Sequence, residues 1–522
     1  MCVSTTSVSL PPHQFKSIGP LRLTIFAFFW GTQTILEMGK WREMLASSQH
    51  FLVFAAACLV VLRPGDARRL IGLAAMQLVV AIARFPWLTN HTLVYSIANL
   101  TLLACLCPTW LEQRRLSIGP RSITSTAHHG GVPSPWGATW YDRFAPVLRA
   151  ELLVVYLVAT FHKFNTDWFH PDESCAIIFW ARMVHLLPGT ESLLSLGLLM
   201  PYGALLIEFL LPILLVRPRW SLIGIFIGLI FHLTLGLVGF YRFSSLVTAL
   251  YVLFLPDWFI HAAIADVSVW QRRASGLFAG VIHACLFRRL RQFLSGVVLV
   301  SCVWAVIQLP RMVSRSPLVL LKEQTRDSHR DWSLLFQSLW LIATVLLLLS
   351  LCVLIWRHGW RPSFIQPQNA TAVPLRWLWL FPLLTLLNGL APYMGLKTES
   401  SFSMFSNLRT SGRDSNHLLI RRPWALVAEG SDLVEIIATD DTELGRLQDR
   451  NYQLPWMELS TYVQNRIQHG DDFSLVLRRG GFEQDFPSVR AAREHFSETP
   501  WLTRKLTWFR AVSMDPVCPC TH

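Results

Sequence analysis

Apolar runs long enough to cross a bilayer recur along most of this chain, and nothing else in the sequence limits the fold as strongly. They fall near 20–37, 50–62, 70–86, 92–108, 148–163, 198–216, 220–238, 241–256, 293–309, 333–356 and 376–393. Runs of this length number about eleven. Inside hydrocarbon every backbone N–H and C=O must find its partner within the protein, so such runs read as helices. Composition agrees: 52% of the 522 residues are hydrophobic and 15% charged, with a mean hydropathy of +0.39. A soluble chain carries about 25% charged residues. Disorder, a collagen, a disulfide scaffold and an ordinary soluble enzyme are thereby excluded. The expected fold class is an α-helical polytopic membrane bundle of about eleven spans with a small C-terminal α+β soluble domain.

The formal net charge is +13, yet the basic residues sit between apolar runs, which points to the lipid bilayer as partner and to no nucleic acid. Loops holding Arg63, Arg68 and Arg69, or Arg114, Arg115 and Arg121, alternate with poorer ones. This bias predicts a cytoplasmic N-terminus (1–19), a membrane domain (20–393) and an extracytoplasmic α+β domain (394–522). The first twenty residues lack a short apolar core before a small-residue cleavage site, so no cleavable leader is expected. In the last domain, 416–423, 433–440, 473–480 and 505–514 read as strands, and 454–468 and 487–496 as helices. The stretch 176–187 reads as an amphipathic interfacial helix. Cys518 and Cys520 read as part of an unstructured tail, and no His/Cys cluster has metal-site spacing.

Only six lysines accompany forty arginines. A lysine at a span end therefore draws notice, because lysine, unlike arginine, can give up its proton in a protein. Lys163 closes the stretch VLRAELLVVYLVATFHKFNTDWF, from Val147 to Phe169, beside His162, Asp167 and Trp168. The plain reading is an interfacial anchor, with Lys163 snorkelling to the headgroups. The functional reading is an amine at the edge of an apolar pocket, where desolvation favours its neutral form and makes it a candidate base, a shift that pairing with Asp167 one turn on would oppose. His91 opens a span at the same predicted face. Glu208 and His232 fall inside apolar spans, where ionisable residues face a bundle interior or a cavity. Each reads either as a lock between helices or as part of a cofactor or substrate pocket.

Taken in order, these segments resemble the vitamin K-dependent gamma-carboxylase family and its bacterial relatives, the horizontally transferred transmembrane (HTTM) proteins. TNHTLVY (89–95) is similar to the family's Asn-His segment, and VLRAELLVVYLVATFHKFNTDW (147–168) to the segment bearing the catalytic lysine. Glu208, Pro212 and the Arg217/Arg219 pair fit the next stretch, Phe231–His232 the one after, and SSFSMFSNLRT (400–410) the family's Ser-Met segment. The resemblance implies that Lys163 and His91 are catalytic. It also implies that His232, Glu208 and Arg149 bind the cofactor, reduced vitamin K or another isoprenoid hydroquinone. In the family the lysine takes a proton from the hydroquinone. Reaction with oxygen then supplies a strong base, which removes a glutamate γ-proton, and carbon dioxide is captured. A glutamate-containing protein would be the substrate.

The chain departs from that pattern at two positions. The lysine that precedes the catalytic one in the family is His162 here, and the acid two residues after it is Asn165. The soluble tail is also shorter than in the animal enzymes, so propeptide recognition is not expected. Two readings compete with the enzyme: a non-enzymatic scaffold or lipid- and quinone-binding protein, and a transporter. Transport ranks last, because no inverted repeat or pair of broken helices accompanies the intramembrane charges.

Overall fold

A computed structural model describes residues 19–38, 48–118, 135–186, 189–275, 326–358, 376–412, 415–424, 426, 430, 432–496, 500–515, 517 and 520. The apolar run at 293–309 and nearly all of the N-terminal segment lie outside these residues. The remaining apolar runs fall on helices. These are α1 (Gly19–Glu37), α2 (Ser48–Leu62), α3 (Ala67–Arg84), α4 (Asn90–Ile118), α5 (Pro135–His162) and α6 (Cys175–Leu186). There follow α7 (Met200–Val216), α8 (Ser221–Leu235), α9 (Tyr241–Tyr251), α10 (Asp257–Ser275), α11 (Arg326–His358) and α12 (Leu380–Leu390). Among the described residues, six helical segments are long and apolar enough to cross a membrane. They are Asn90–Thr109, Thr139–His162, Glu191–Val216, Ser221–Phe254, Leu335–Arg357 and Arg376–Met394. That is fewer than the eleven read from hydropathy: 50–62 forms a shorter helix, α1 and α3 are long enough but not apolar enough, 220–238 and 241–256 fall in one segment, and 293–309 lies outside the described residues.

The segment Ser221–Phe254 is not one straight rod. Gly239 takes φ 105°, a conformation that a side chain would strain, and there α8 gives way to α9. His232 then meets Ser244 at 3.3 Å, and Gly228 packs against the hydroxyl of Tyr251. A straight helix would hold Gly228 and Tyr251 about 35 Å apart. The chain therefore doubles back, and α8 and α9 form a hairpin. Trp340 of α11 packs on Gly236 at its apex, where Gln337 donates to the Gly236 carbonyl at 2.7 Å.

One apolar core runs through the bundle. Phe26 stacks on Trp30 with ring centroids 5.4 Å apart, and Trp140 meets Phe144 edge-on at 5.1 Å. A buried polar circuit ties α1, α3 and α4. Trp30 Nε1 donates to Asn99 Oδ1, Asn99 Nδ2 to Gln77 Oε1, Gln77 Nε2 to Thr34 Oγ1, and Thr34 Oγ1 to the Trp30 carbonyl. Outward faces are apolar instead, as at Leu206, Phe209, Ile342 and Leu346, which is the pattern of a surface that meets lipid.

The C-terminal region adds β1 (Leu433–Thr439), α13 (Thr442–Asp449), β2 (Tyr452–Pro455), α14 (Trp456–Gln468), β3 (Leu475–Arg479), β4 (Phe482–Phe486), α15 (Trp501–Leu506) and β5 (Val512–Ser513). The strands form one antiparallel sheet in the order β4-β3-β1-β2-β5. Val434, Ile436, Leu475 and Leu477 alternate inward against Leu459 and Val463 of α14. Asp441 caps α13 by accepting from Glu443 N and Leu444 N, both at 3.0 Å.

Four expectations need correction. Residues 416–423 form no strand beyond a single bridge between Asn165 and His417, because most of their amides bond locally, Leu419 N and Ile420 N to the His417 ring, while Leu418 N donates to the Phe164 carbonyl. The stretch 487–496 is a turn with a short 3-10 piece rather than an α-helix. Of 505–514 only Val512–Ser513 is strand, and its start belongs to α15. The tail is not loose at Cys520, which forms a disulfide with Cys175 at the start of α6; Cys518 lies outside the described residues.

Candidate functional site

Helical spacing builds the first wall of the site. Leu152, Val155, Tyr156, Ala159 and Lys163 recur at three- and four-residue steps along α5, so they share one face. That face borders a cavity of about 520 Å³. Opposite it stand Ile207 and Glu208 of α7 and Ile227, Phe231 and His232 of α8. Trp168, Phe179, Phe240, Phe402 and Phe405 close one end. Such a hollow, mostly apolar with a few convergent polar groups, has the make-up and size of a small-molecule site.

Lys163 does not snorkel. Its side chain is 6% exposed, and its Nζ lies 2.7 Å from Oε2 of Glu208, itself 11% exposed. The ammonium also donates to the Ala159 carbonyl at 3.3 Å and sits 5.3 Å from the centroid of the Trp168 ring. Trp168 is buried rather than interfacial, and its Nε1 donates to the Pro201 carbonyl at 3.1 Å. Thus the carboxylate on Lys163 comes from α7, whereas the expected partner Asp167 accepts from Asn416 at 2.8 Å. The Lys163–Glu208 contact is close but poorly angled, and Glu208 Oε2 makes no aligned hydrogen bond although it is buried.

His232 reaches the cavity from the other side. Its Nε2 is 2.8 Å from the Tyr156 hydroxyl, which in turn bonds the Tyr251 hydroxyl, while its Nδ1 faces Ser244. Two other expected residues are placed elsewhere. His91 is not among the cavity-lining residues; its Nε2 lies 3.0 Å from Glu37 Oε1, joining the start of α4 to the end of α1, and its neighbour Asn90 faces the hollow. Arg149 also lies outside the cavity. It is fourteen residues before Lys163, about 21 Å along the helix, and its Nε donates to the Leu253 carbonyl at 2.7 Å.

The roof comes from the segment after α12. His162 bonds the Tyr393 hydroxyl at 2.9 Å through Nδ1 and the Ser401 carbonyl at 3.1 Å through Nε2. His417 meets the Phe161 carbonyl at 3.0 Å, and burial holds its imidazolium below the ordinary histidine range. Asn90 Oδ1 accepts from Phe402 N at 2.6 Å. Under these ties Ser400, Phe402, Phe405 and Asn407 all adopt positive φ, between 52° and 63°. Such backbone costs about 1 kcal/mol or more per residue and persists only where surroundings enforce it. Here it turns Phe402 and Phe405 into the cavity.

Lys163, Glu208 and His232 were legible as candidates and are brought together; Tyr156 was not. Its seven-residue spacing from Lys163 on one helix was the available signal. Phe402 and Phe405 carried no comparable signal, since their direction depends on the strained loop. Among the described residues no three His, Cys, Asp or Glu side chains cluster as a metal site needs. No protein-family model, no curated protein and no solved structure matches the chain.

Proposed function

We propose that the chain is an integral membrane enzyme of the vitamin K-dependent gamma-carboxylase type, related to the HTTM proteins. In this reading Lys163 removes a proton from an isoprenoid hydroquinone held in the cavity. The observation that carries it is the buried Lys163–Glu208 pair at the wall of an apolar hollow. When bound, the hydroquinone would supply the electrons that reduce dioxygen and so drive carboxylation of a glutamate side chain.

The residues present fit such a group. Trp168, Phe240 and Phe405 would flank its ring. Glu208, on the cavity wall, would accept from a hydroxyl that enters beside it. In apolar surroundings a proton can pass within the pair, and an uncharged Lys163 then presents its lone pair to that hydroxyl. The apolar lining would disfavour water beside the reacting groups once the ring is bound. His91 acts from outside the cavity, by fixing the start of α4 and with it Asn90. Arg149, at the far end of α5, has no part in holding the ring in this reading.

The same proposal takes the finer topology as about eleven spans, with the N-terminus cytoplasmic and the last domain outside. The Cys175–Cys520 disulfide supports that side, since such bonds persist in oxidising compartments. A second reading, a lipid- or quinone-binding protein without chemistry, draws on the fact that Lys163 is already paired. Incorporation of labelled carbon dioxide into a glutamate peptide, with added vitamin K hydroquinone, separates the two. Lys163→Ala should lower the rate about 10²–10⁴-fold. Full activity in that variant would remove Lys163 as the base. A wild-type protein that binds the quinol without incorporating label would favour the second reading.

A further inference from the structure

The C-terminal domain exposes two apolar patches, and both lie beside the ends of the membrane-crossing helices. The first is on α15, where Trp501 is 73% exposed and Leu502 and Leu506 are exposed with it. This short helix is fastened to the loop between α3 and α4. Lys505 Nζ donates to the Phe85 carbonyl, and the Arg504 guanidinium lies 5.2 Å from the Trp87 ring centroid. Trp87 is itself exposed, as are Val79 and Ile82 on the last turns of α3 below it. The apolar outer surface of the bundle thus continues through Trp87 onto α15.

The second patch is Leu418, Leu419, Trp424 and Leu426, with Trp424 76% exposed. Leu418 N donates to the Phe164 carbonyl at 2.8 Å, just past the end of α5. Trp424 N and Leu426 N donate to the carbonyls of Tyr393 and Met394, where the segment Arg376–Met394 ends. Arg421 and Arg422 are exposed within this patch, as Arg504 and Lys505 flank the first. Tryptophan and leucine beside arginine and lysine at the level of helix ends is the composition of a headgroup-level belt.

We infer that the C-terminal domain is not merely tethered outside the membrane but rests on it. The Trp501/Leu502/Leu506 and Leu418/Leu419/Trp424/Leu426 patches enter the bilayer interface, and the exposed Arg421 and Arg422 face lipid phosphates. The partner is the lipid surface, and the inference rests on the membrane reading of the bundle, not on any enzymatic activity. The domain is then held in one orientation above the cavity roof.

The test uses the full chain in phosphatidylcholine/phosphatidylglycerol vesicles. Cys2, Cys107, Cys285, Cys302, Cys352 and Cys518 are replaced by serine, and a nitroxide is attached at Leu502→Cys, at Leu419→Cys or, as control, at Phe482→Cys on the exposed start of β4. Collision with oxygen, which partitions into lipid, is compared with collision with a water-soluble nickel chelate. The expected result is an oxygen-to-nickel ratio severalfold higher at 502 and 419 than at 482. Equal, water-like ratios at either site would overturn the inference. So would a label at either site that neither reagent reaches, because that marks a protein partner in place of lipid.

Discussion

Two buried polar systems occupy the same bundle and behave as opposites. The circuit through Trp30, Asn99, Gln77 and Thr34 closes on itself, running from the indole of Trp30 back to that residue's own carbonyl. Apolar side chains pack around it. The Lys163–Glu208 pair adjoins a 520 Å³ hollow, and its carboxylate keeps an oxygen without an aligned hydrogen bond. A satisfied circuit in packed surroundings fixes helix register. An incompletely satisfied charge pair beside open space is a place for a ligand to bind.

Breaking the pair should give the largest effect. Lys163→Met leaves the Glu208 carboxylate buried without its cation, and unfolding in detergent should show a loss of about 3–5 kcal/mol. Adding Glu208→Leu to that variant should recover most of the loss while leaving the cavity unable to bind a hydroxyl. A silent Lys163→Met variant would put the pair on a par with a surface ion pair and erase the contrast.

Packing between the hairpin and the cavity wall comes next. A methyl at Gly228 would overlap the Tyr251 hydroxyl, which fixes Tyr156 beside His232. Gly228→Ala should lower the unfolding free energy by about 2–3 kcal/mol through overpacking. That methyl overlaps ring carbons of Tyr251 as well as its hydroxyl, so the penalty of Gly228→Ala should largely vanish in a Tyr251→Leu background. If the second substitution gives no rescue, the hairpin geometry assigned to α8 and α9 is wrong.

The closed circuit should respond more mildly and without touching the site. Gln77→Leu strands the Asn99 amide and takes a donor from the Thr34 hydroxyl, which keeps its bond to the Trp30 carbonyl, at about 2 kcal/mol. If the protein binds a quinol as proposed, that binding, followed by quenching of tryptophan fluorescence, should be unchanged. A parallel loss of binding would mean that the two systems are coupled and that their separation is only apparent in the static fold.

How much of this was legible in the sequence follows from the range of the forces involved. Apolar periodicity acts locally, so the helices and the strands at 433–439 and 475–479 could be read from their own residues. Lys163 stood out because a charge in an apolar run is costly wherever the chain goes. Its partner was not legible: Asp167 is near in sequence, but Glu208 is near in space. The segment after Met394 defeated the reading for the same reason. NHLLIRRP has strand composition, yet its backbone is drawn into bonds with Phe164 and Thr166 at the end of α5. The disulfide at Cys520 could not be read either, because its other half is 345 residues away.

Outside the bundle a half-buried acid offers the smallest test, and one that pH can drive. Glu458 on α14 accepts from Phe509 N at 2.8 Å, and burial pushes its carboxyl up from 4.5 to about 7, with Glu399 adding to the rise and the Phe509 amide and Arg504 opposing it. The folded domain therefore holds this proton more tightly than the unfolded chain does. The stability it contributes is complete below about 4.5, declines as pH rises, and is gone once pH passes about 7. Glu458→Gln keeps the acceptor for Phe509 and removes the titration. Partial solvent screening reduces the expected gain to about 1 kcal/mol at pH 8. Thermal unfolding of the full chain at pH 5 and pH 8 should show the variant less sensitive to pH than the wild type. Parallel curves would mean that Glu458 is as well solvated as an ordinary surface acid. The contrast between apolar bundle and aqueous domain would then rest on the cavity pair alone.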